Sequence, residues 1–201
     1  TPDANSRFIN RGTLTKNTVS PATITMPVEN SGPWALNEGL VNLPVAFDSQ
    51  PGSMYTIASG SELRFTGATI EGALNGVNNG LCRILNGAVL ADDLLISLSG
   101  NGLVWESGTI TAPAGETITV DSDSVFRIEG GNKTLAADII NHGALSDYSG
   151  WARIFDNAAI TSDGDIDWRY ASWTGNGALN NTGSITKSTT SPATLNIAFN
   201  N

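Results

Sequence analysis

The chain has 201 residues, of which 40% are hydrophobic and only 14% are charged, so we expect one domain with a full core and a surface made largely of uncharged polar residues. Ten basic and nineteen acidic residues give a net charge of −9, which argues against a nucleic-acid partner because phosphate binding needs a basic footprint. No run of the sequence approaches the roughly 18 apolar residues that cross a bilayer, so membrane insertion is not expected either.

The beginning of the chain is written again at its end. Segment 8–30 reads FINRGTLTKNTVSPATITMPVEN and segment 179–201 reads LNNTGSITKSTTSPATLNIAFNN, a shift of 171 positions. Ten positions are identical, and most mismatches keep their character, as Leu14 and Ile185 do. This echo predicts one repeat domain over residues 1–201, whose core is built by stacking similar units.

Turn signals between the two ends recur about every 20 residues. Gly60, Gly80 and Gly100 lie 20 apart, and glycines 143, 164 and 183 follow at steps of 21 and 19. The segments between them alternate apolar and polar residues, which predicts strands with one buried face, and we expect Gly and Asn to supply corners with positive φ. Only segment 88–96 has a helical pattern, and it is short and has no clear cap.

Two all-β architectures fit such a pattern. A β-sandwich would show turns every 8–12 residues, whereas a parallel β-helix needs one coil of two or three short strands about every 20 residues. The recurrence and the echo favour the second. We therefore predict an all-β parallel β-helix, or β-solenoid, of about ten coils of roughly 20 residues, each rising about 4.8 Å.

Three segments carry a resemblance to known proteins: 8–16 (FINRGTLTK), 28–32 (VENSG) and 59–65 (SGSELRF). They resemble the degenerate strand repeats of large bacterial adhesin-like proteins of the filamentous-haemagglutinin and autotransporter-passenger type. The resemblance implies a right-handed β-helix that is secreted or displayed at the cell surface, with no catalytic residues to carry over. A first segment, TPDA, without Met or an apolar signal region is what we expect of a mature or excised exported fragment.

Few residues suggest chemistry. Cys82 and His142 are the only residues of their types, which excludes internal disulfides and sites with several histidines; we expect a structural Cys82 and a variable corner residue at His142. We therefore expect no enzyme. A polysaccharide-acting β-helix enzyme is a less favoured alternative, and only Arg153 and Arg169 offer it a base.

A run of acidic residues is the one candidate metal site. Asp163, Asp165 and Asp167 alternate along a predicted strand and would face one side, where they would repel each other unless a cation or a basic residue joined them. The run is either a calcium site or a solvated acidic edge paired with Arg153 or Arg169. No other cofactor is expected.

Aromatic residues gather in segment 148–173. On a strand, Trp168 and Tyr170 would share a face with Arg169 opposite. Three interpretations stay open, namely core packing, a subunit interface and a glycan-binding platform. The residues concerned are Tyr148, Trp151, Trp168, Tyr170 and Trp173.

Neither end shows a capping helix or a block of charge, and an uncapped solenoid end exposes unpaired strand edges. We expect the chain to associate head to tail with itself into a filament, or to stack on neighbouring repeats of one longer chain. The expected function is a non-enzymatic, extracellular structural or adhesive element, with glycan binding as the alternative. The apolar residues assigned to end-to-end contact are Leu14, Ile24, Val28, Ile185, Leu195, Ile197 and Phe199.

Overall fold

The structure, a computed structural model, describes residues 6–148 and 152–201 and places 23 strands in them. In chain order these are β1 (Phe8–Asn10), β2 (Leu14–Asn17), β3 (Ala22–Thr23), β4 (Val28–Asn30), β5 (Pro33–Glu38), β6 (Leu40–Leu43), β7 (Ala46–Ser49), β8 (Met54–Ile57), β9 (Glu62–Asn78), β10 (Leu81–Gly100), β11 (Leu103–Trp105), β12 (Gly108–Thr111), β13 (Thr117–Val120), β14 (Val125–Ile128), β15 (Lys133–Ala136), β16 (Asp138–Asn141), β17 (Ala144–Asp147), β18 (Arg153–Phe155), β19 (Ala159–Ser162), β20 (Asp165–Trp168), β21 (Trp173–Asn181), β22 (Ser184–Thr186) and β23 (Leu195–Asn200).

Each strand pairs in parallel with the strand one coil further along the chain. Phe8 lies beside Val28, and Val28 lies beside Phe47. The chain winds in this way into a β-solenoid of about nine turns, which confirms the predicted all-β fold and is close to the ten coils expected. At the usual strand spacing the nine turns rise roughly 43 Å.

The segment with a helical pattern, 88–96, lies within strand β10, and the described residues contain no helix. Leu90, Leu94 and Ile96 are buried in the solenoid interior, while Asp92 and Asp93 are exposed. A bend of β10 separates Leu90 from Leu94, since the pairing with β9 shifts register there. The apparent helical spacing therefore comes from two strand segments joined at a corner.

Three stacks of strands form the walls of the lower coils, which are the coils nearest the N-terminus. Sheet A contains β1, β4 and β7; sheet B contains β2, β5 and β8; and sheet C contains β3 and β6. Strand β9 forms nearly a whole coil, because it pairs with β6, β7 and β8 in turn. Strand β10 lies on β9 over almost its whole length.

The walls change above β10. Residues 98–100, which continue sheet B, have no strand above them in the described chain. Sheet A instead divides at β10 into two arms. The first arm contains β12, β15 and β18, and the second contains β13, β16 and β19. Sheet C continues through β11, β14, β17, β20 and β22, so each level still has three walls.

This exchange moves the terminal echo around the solenoid axis. The first strand of each copy of the repeated sequence lies on sheet A. In the first copy this strand is β1, and in the second copy it is the end of β21, where Asn181 lies above Ser162 on the second arm. The second strand differs. Leu14 lies on sheet B beside Trp34, whereas Ile185 lies on sheet C beside Ile166. The repeated sequence therefore forms the same local coil on a different pair of walls.

Alternate residues of every sheet fill one continuous interior. In the lower half a cluster of aromatic rings occupies it, with Phe47 at 5.2 Å from Phe65 and 5.9 Å from Trp34 between ring centroids. One face of each strand points into this interior and the other points to solvent, so the alternation of apolar and polar residues in the sequence determines which side chains are buried. Cys82 lies in this interior with no exposed surface, and burial raises the pKa of its thiol, as expected of a structural cysteine.

Candidate functional sites

Buried asparagines stand at the corner that follows sheet A and its second arm. Asn10 Nδ2 donates to Asn30 Oδ1 at 2.7 Å, and Asn181 Nδ2 donates to Asn201 Oδ1 at 2.9 Å. Asn30 also donates to the carbonyl of Gly32, and Asn181 to that of Gly183. Each side chain thus closes its own corner and bonds to the coil above, which is how an Asn-x-Gly motif satisfies buried backbone groups.

The glycines of these Asn-x-Gly corners do not have positive φ, so the expected role of glycine is wrong at these positions. They are needed because the corners stack closely. A Cβ on Gly183 would lie 2.1 Å from the carbonyl oxygen of Gly164, and one on Gly32 would lie 2.2 Å from that of Gly12. Positive φ does occur at the Ser-Gly turns, for example at Gly60 and Gly100.

The repeated Thr-Lys segment forms a lysine-capped loop at each end of the solenoid. Lys16 Nζ donates to the carbonyls of Thr18 and Ser20, the latter at 2.8 Å. Lys187 Nζ donates in the same way to the carbonyls of Thr189 and Ser191, at 2.8 and 2.6 Å. The echo thus encodes a local hydrogen-bonding motif. The lysines are identical in the two copies of the sequence, but nothing in the sequence indicates these loop contacts.

The interior is open at the last coil. A cavity of about 300 Å³ lies there. Leu195 and Ile197 are half-buried and Phe199 is 46% exposed. The main apolar residues lining the cavity are Trp168, Trp173, Leu179, Ile185, Leu195 and Phe199.

The first coil leaves its inward side chains half-covered as well. Phe8, Leu14 and Ile24 pack against the core from one side only, whereas Val28, one coil higher, is 2% exposed. The residues assigned to end-to-end contact therefore occupy the first two and the last coils of the described chain, and Val28 alone among them is fully buried.

The aromatic segment divides into an interior part and an exterior part. Trp173 is 1% exposed and lies 5.4 Å from Phe155 and 5.9 Å from Trp168 between ring centroids, so core packing is confirmed for Trp173. Tyr148 and Tyr170 are each 38% exposed on the outside. Trp151, which was grouped with them, lies outside the described residues.

Arg169 covers one of the exposed rings. Its Cζ atom lies 3.9 Å from the centroid of the Tyr148 ring, and its Nε donates to Asp167 Oδ2 at 2.6 Å. Strand β20 ends at Trp168, so Tyr170 is not on the same strand face, contrary to expectation. The flat aromatic face foreseen for this strand is replaced by a cation–π stack of Arg169 on Tyr148.

A buried group of charges adjoins Trp173. Arg153 Nη2 donates to Asp147 Oδ1 at 2.8 Å, and Trp173 Nε1 donates to Asp147 Oδ2 at 2.8 Å. Arg153 and Asp147 are 3% and 0% exposed. An ion pair this deep offsets its desolvation only through such additional hydrogen bonds, so the arrangement gives Arg153, one of the two candidate bases, a structural role.

Lys133 belongs to the same buried region. It is 2% exposed, donates to the carbonyls of Glu129 and Gly131, and lies 5.8 Å from the centroid of the Trp105 ring. Burial, and after it the positive charge of Arg153, lowers the pKa of its ammonium group to about 8.

The three carboxylates of the candidate calcium site bond to different partners. Asp163 Oδ1 lies 2.7 Å from His142 Nδ1, Asp165 accepts from the Ser184 hydroxyl, and Asp167 pairs with Arg169. They do not converge on one point. The only three-carboxylate group that does so in the described parts of the chain is Asp92, Asp93 and Glu116, whose nearest oxygens lie within 4.8 Å of one another on the surface.

His142 is exposed at its corner. Among the described residues, no helix has the length and apolar character needed to cross a membrane.

Comparison with known proteins gives no match, whether to a protein-family model, to a curated protein or to a solved structure. The arguments for function therefore come from this chain alone.

Proposed function

We propose that this protein is a non-enzymatic structural or adhesive element of an extracellular or cell-surface fibre. The observation that carries the proposal is the pair of equivalent terminal coils. Their sequences match, their corner asparagines make the same hydrogen bonds, and each leaves apolar interior residues half-covered. A solenoid whose first and last coils have similar sequences can be extended by further coils that pack in the same way.

The interior supports the same proposal. One apolar core runs from Val28 to Leu179 without interruption. Among the described residues three charged side chains are buried: Asp147 and Arg153 pair with each other, and Lys133 donates to the carbonyls of Glu129 and Gly131. Such an interior makes a stiff rod, because every coil is tied to its neighbours by parallel backbone pairing along its length.

Two measurements test this function. Small-angle scattering of the purified chain should show an elongated particle, and an antibody against it should label intact producing cells. A compact particle, or labelling that appears only after the cells are permeabilised, would contradict the proposal.

A second candidate function is glycan binding on the outer surface at Tyr148, Arg169 and Tyr170, because two tyrosine rings are exposed there beside a guanidinium group. Sugars stack on exposed rings of this kind. Replacement of Tyr148 and Tyr170 by Ala should abolish binding on a glycan array without changing the melting temperature, and unchanged binding would rule out this surface.

A further inference from the structure

We propose that three buried charged residues fix the register of the coils above β10, that is, which coil stacks on which. Lys133, Asp147 and Arg153 face the interior in two consecutive coils, and each is at most 3% exposed. They are named here the buried charge group. The inference goes beyond the proposed function, because a solenoid with any purpose needs a single register.

The apolar core alone does not define this register. In a repeat protein each coil contacts only its neighbours, and apolar contacts are non-directional, so a strand displaced by one coil still buries hydrophobic surface. The alternation of apolar and polar residues selects the buried face of a strand and not the coil beside it. The inward residues of sheet C in successive coils are Phe65, Ile84, Trp105, Ile128, Asp147 and Trp168. Of these six, only Asp147 is charged.

Asp147 joins two walls and two coils. Its Oδ1 accepts a hydrogen bond from Arg153 Nη2 at 2.8 Å within its own coil, and its Oδ2 accepts one from Trp173 Nε1 at 2.8 Å in the coil above. These partners lie on β18 and β21, which are neighbours in the next wall. A shift of sheet C by one coil relative to that wall would place Ile128 or Trp168 beside Arg153 and would separate the charged pair.

Lys133 and Arg153 join this coil to the one below. The carbonyl oxygen of Gly131 accepts hydrogen bonds from Lys133 Nζ at 3.0 Å and from Arg153 Nη1 at 3.1 Å. The two cations are direct neighbours in the pairing of β15 with β18, although like charges in such positions destabilise a sheet. Apolar side chains would remove this repulsion together with the desolvation of three charges. Selectivity between registers therefore explains the group better than stability does.

Burial makes a wrong register unfavourable. Asp147 and Arg153 are almost completely removed from water, with exposures of 0% and 3%. Separating a buried ion pair disfavours the resulting state by roughly 100-fold or more, because each charge stays desolvated without its partner. A misaligned coil in an entirely apolar part of the core has no penalty of this kind.

Pairs of cysteines on the outer surface report the register. Thr134 and Ile154 are paired in adjacent coils, and Thr174 lies one coil further up in the same column. Adjacent coils bring the Cα atoms to about 5 Å, within the range of a disulfide, whereas two coils separate them by roughly 10 Å, which is beyond it. Oxidative refolding of T134C/I154C therefore traps the native register, and that of T134C/T174C traps only chains in which one coil has been skipped. Both pairs also carry Cys82→Ala, since Cys82 is the only natural cysteine.

The triple variant K133M/D147L/R153M removes the buried charge group and puts apolar side chains of similar length in its place. Peptide mapping by mass spectrometry should show a rise of roughly tenfold or more in the T134C/T174C disulfide in this background over the natural one, with the circular dichroism of strands retained. The matched control is R83M/E106L, which removes a partly exposed ion pair between coils on the outer surface and should leave the T134C/T174C disulfide unchanged.

An equal yield of the T134C/T174C disulfide in the natural and triple-variant backgrounds would overturn the proposal, and so would an equal rise in the control. A triple variant that gives neither disulfide above the level of the unfolded chain, and no strand signal, would overturn it as well, because the group would then be required for stability. All of these outcomes leave the fibre function to its own tests.

Discussion

Replacing Trp173 by Ala separates the structural interpretation of the aromatic segment from the ligand-binding one. The side chain is 1% exposed, lies against Phe155 and Trp168, and donates a hydrogen bond to the buried carboxylate of Asp147. Truncating a buried Trp costs about 3–5 kcal/mol of unfolding free energy. We expect a cost in the upper part of that range, because the substitution also removes a hydrogen bond to a buried charge, and such bonds contribute about 1.5–3 kcal/mol.

Urea denaturation followed by circular dichroism measures this loss. The conservative variant Trp173→Phe keeps most of the ring and loses the N–H donor, so it should cost about 1–3 kcal/mol. An exposed control, Tyr170→Ala, should change stability by no more than about 0.5 kcal/mol. A Trp173→Ala chain that is less than about 1 kcal/mol weaker than wild type would refute the reasoning, since no buried Trp with a charged partner can be removed so cheaply.

Three further predictions use other features of the coils. Gly32→Ala should lower the melting temperature strongly, because its Cβ would meet the Gly12 carbonyl, whereas Gly12→Ala in the same motif has open space and should be neutral; similar effects in a thermal melt would contradict the close-approach argument. Cys82 should react with a thiol reagent only after denaturation, because burial raises its pKa and excludes the reagent, and rapid native-state labelling would refute its placement. The pKa of Lys133 is lower in the folded chain, about 8, than its ordinary value of 10.5, so the folded state binds fewer protons at this group between these values and the contribution of Lys133 to stability should rise with pH from about 8 upwards. The urea midpoint of wild type minus that of Lys133→Met should therefore rise across this window, because the opposite contribution of the Cys82 thiol cancels in the difference, and a difference that falls would refute the direction.

The sequence was sufficient for the fold because turn signals and strand alternation agree with each other. Gly60 and Gly100 punctuate the coils at the predicted spacing, and both have the positive φ expected of them. The sequence also predicted the Asn-x-Gly corners, but positive φ is not what requires glycine there. The requirement is close approach between coils, which depends on which corner lies above which. Gly12 and Gly183 share a motif, yet only Gly183 has a carbonyl within 4 Å of its Cβ position.

The sites were harder to predict because they depend on contacts across coils. Asp163, Asp165 and Asp167 form an obvious run, but each carboxylate finds a partner within its own or a neighbouring coil. Lys133 and Arg153 are charged residues in a polar sequence, and both are buried. A period-two pattern assigns faces well when the inward residues are apolar, and it gives no warning of a charged residue on the inner face.

The division of sheet A at β10 changes the direction in which the repeated motif faces. At the beginning of the chain the motif stands on sheets A and B, and at the end it stands on the second arm of sheet A and on sheet C. The outward side chains of the two copies therefore point away from the solenoid in directions that differ by one wall. A ligand that recognised this motif would meet its two copies on different sides of the same rod.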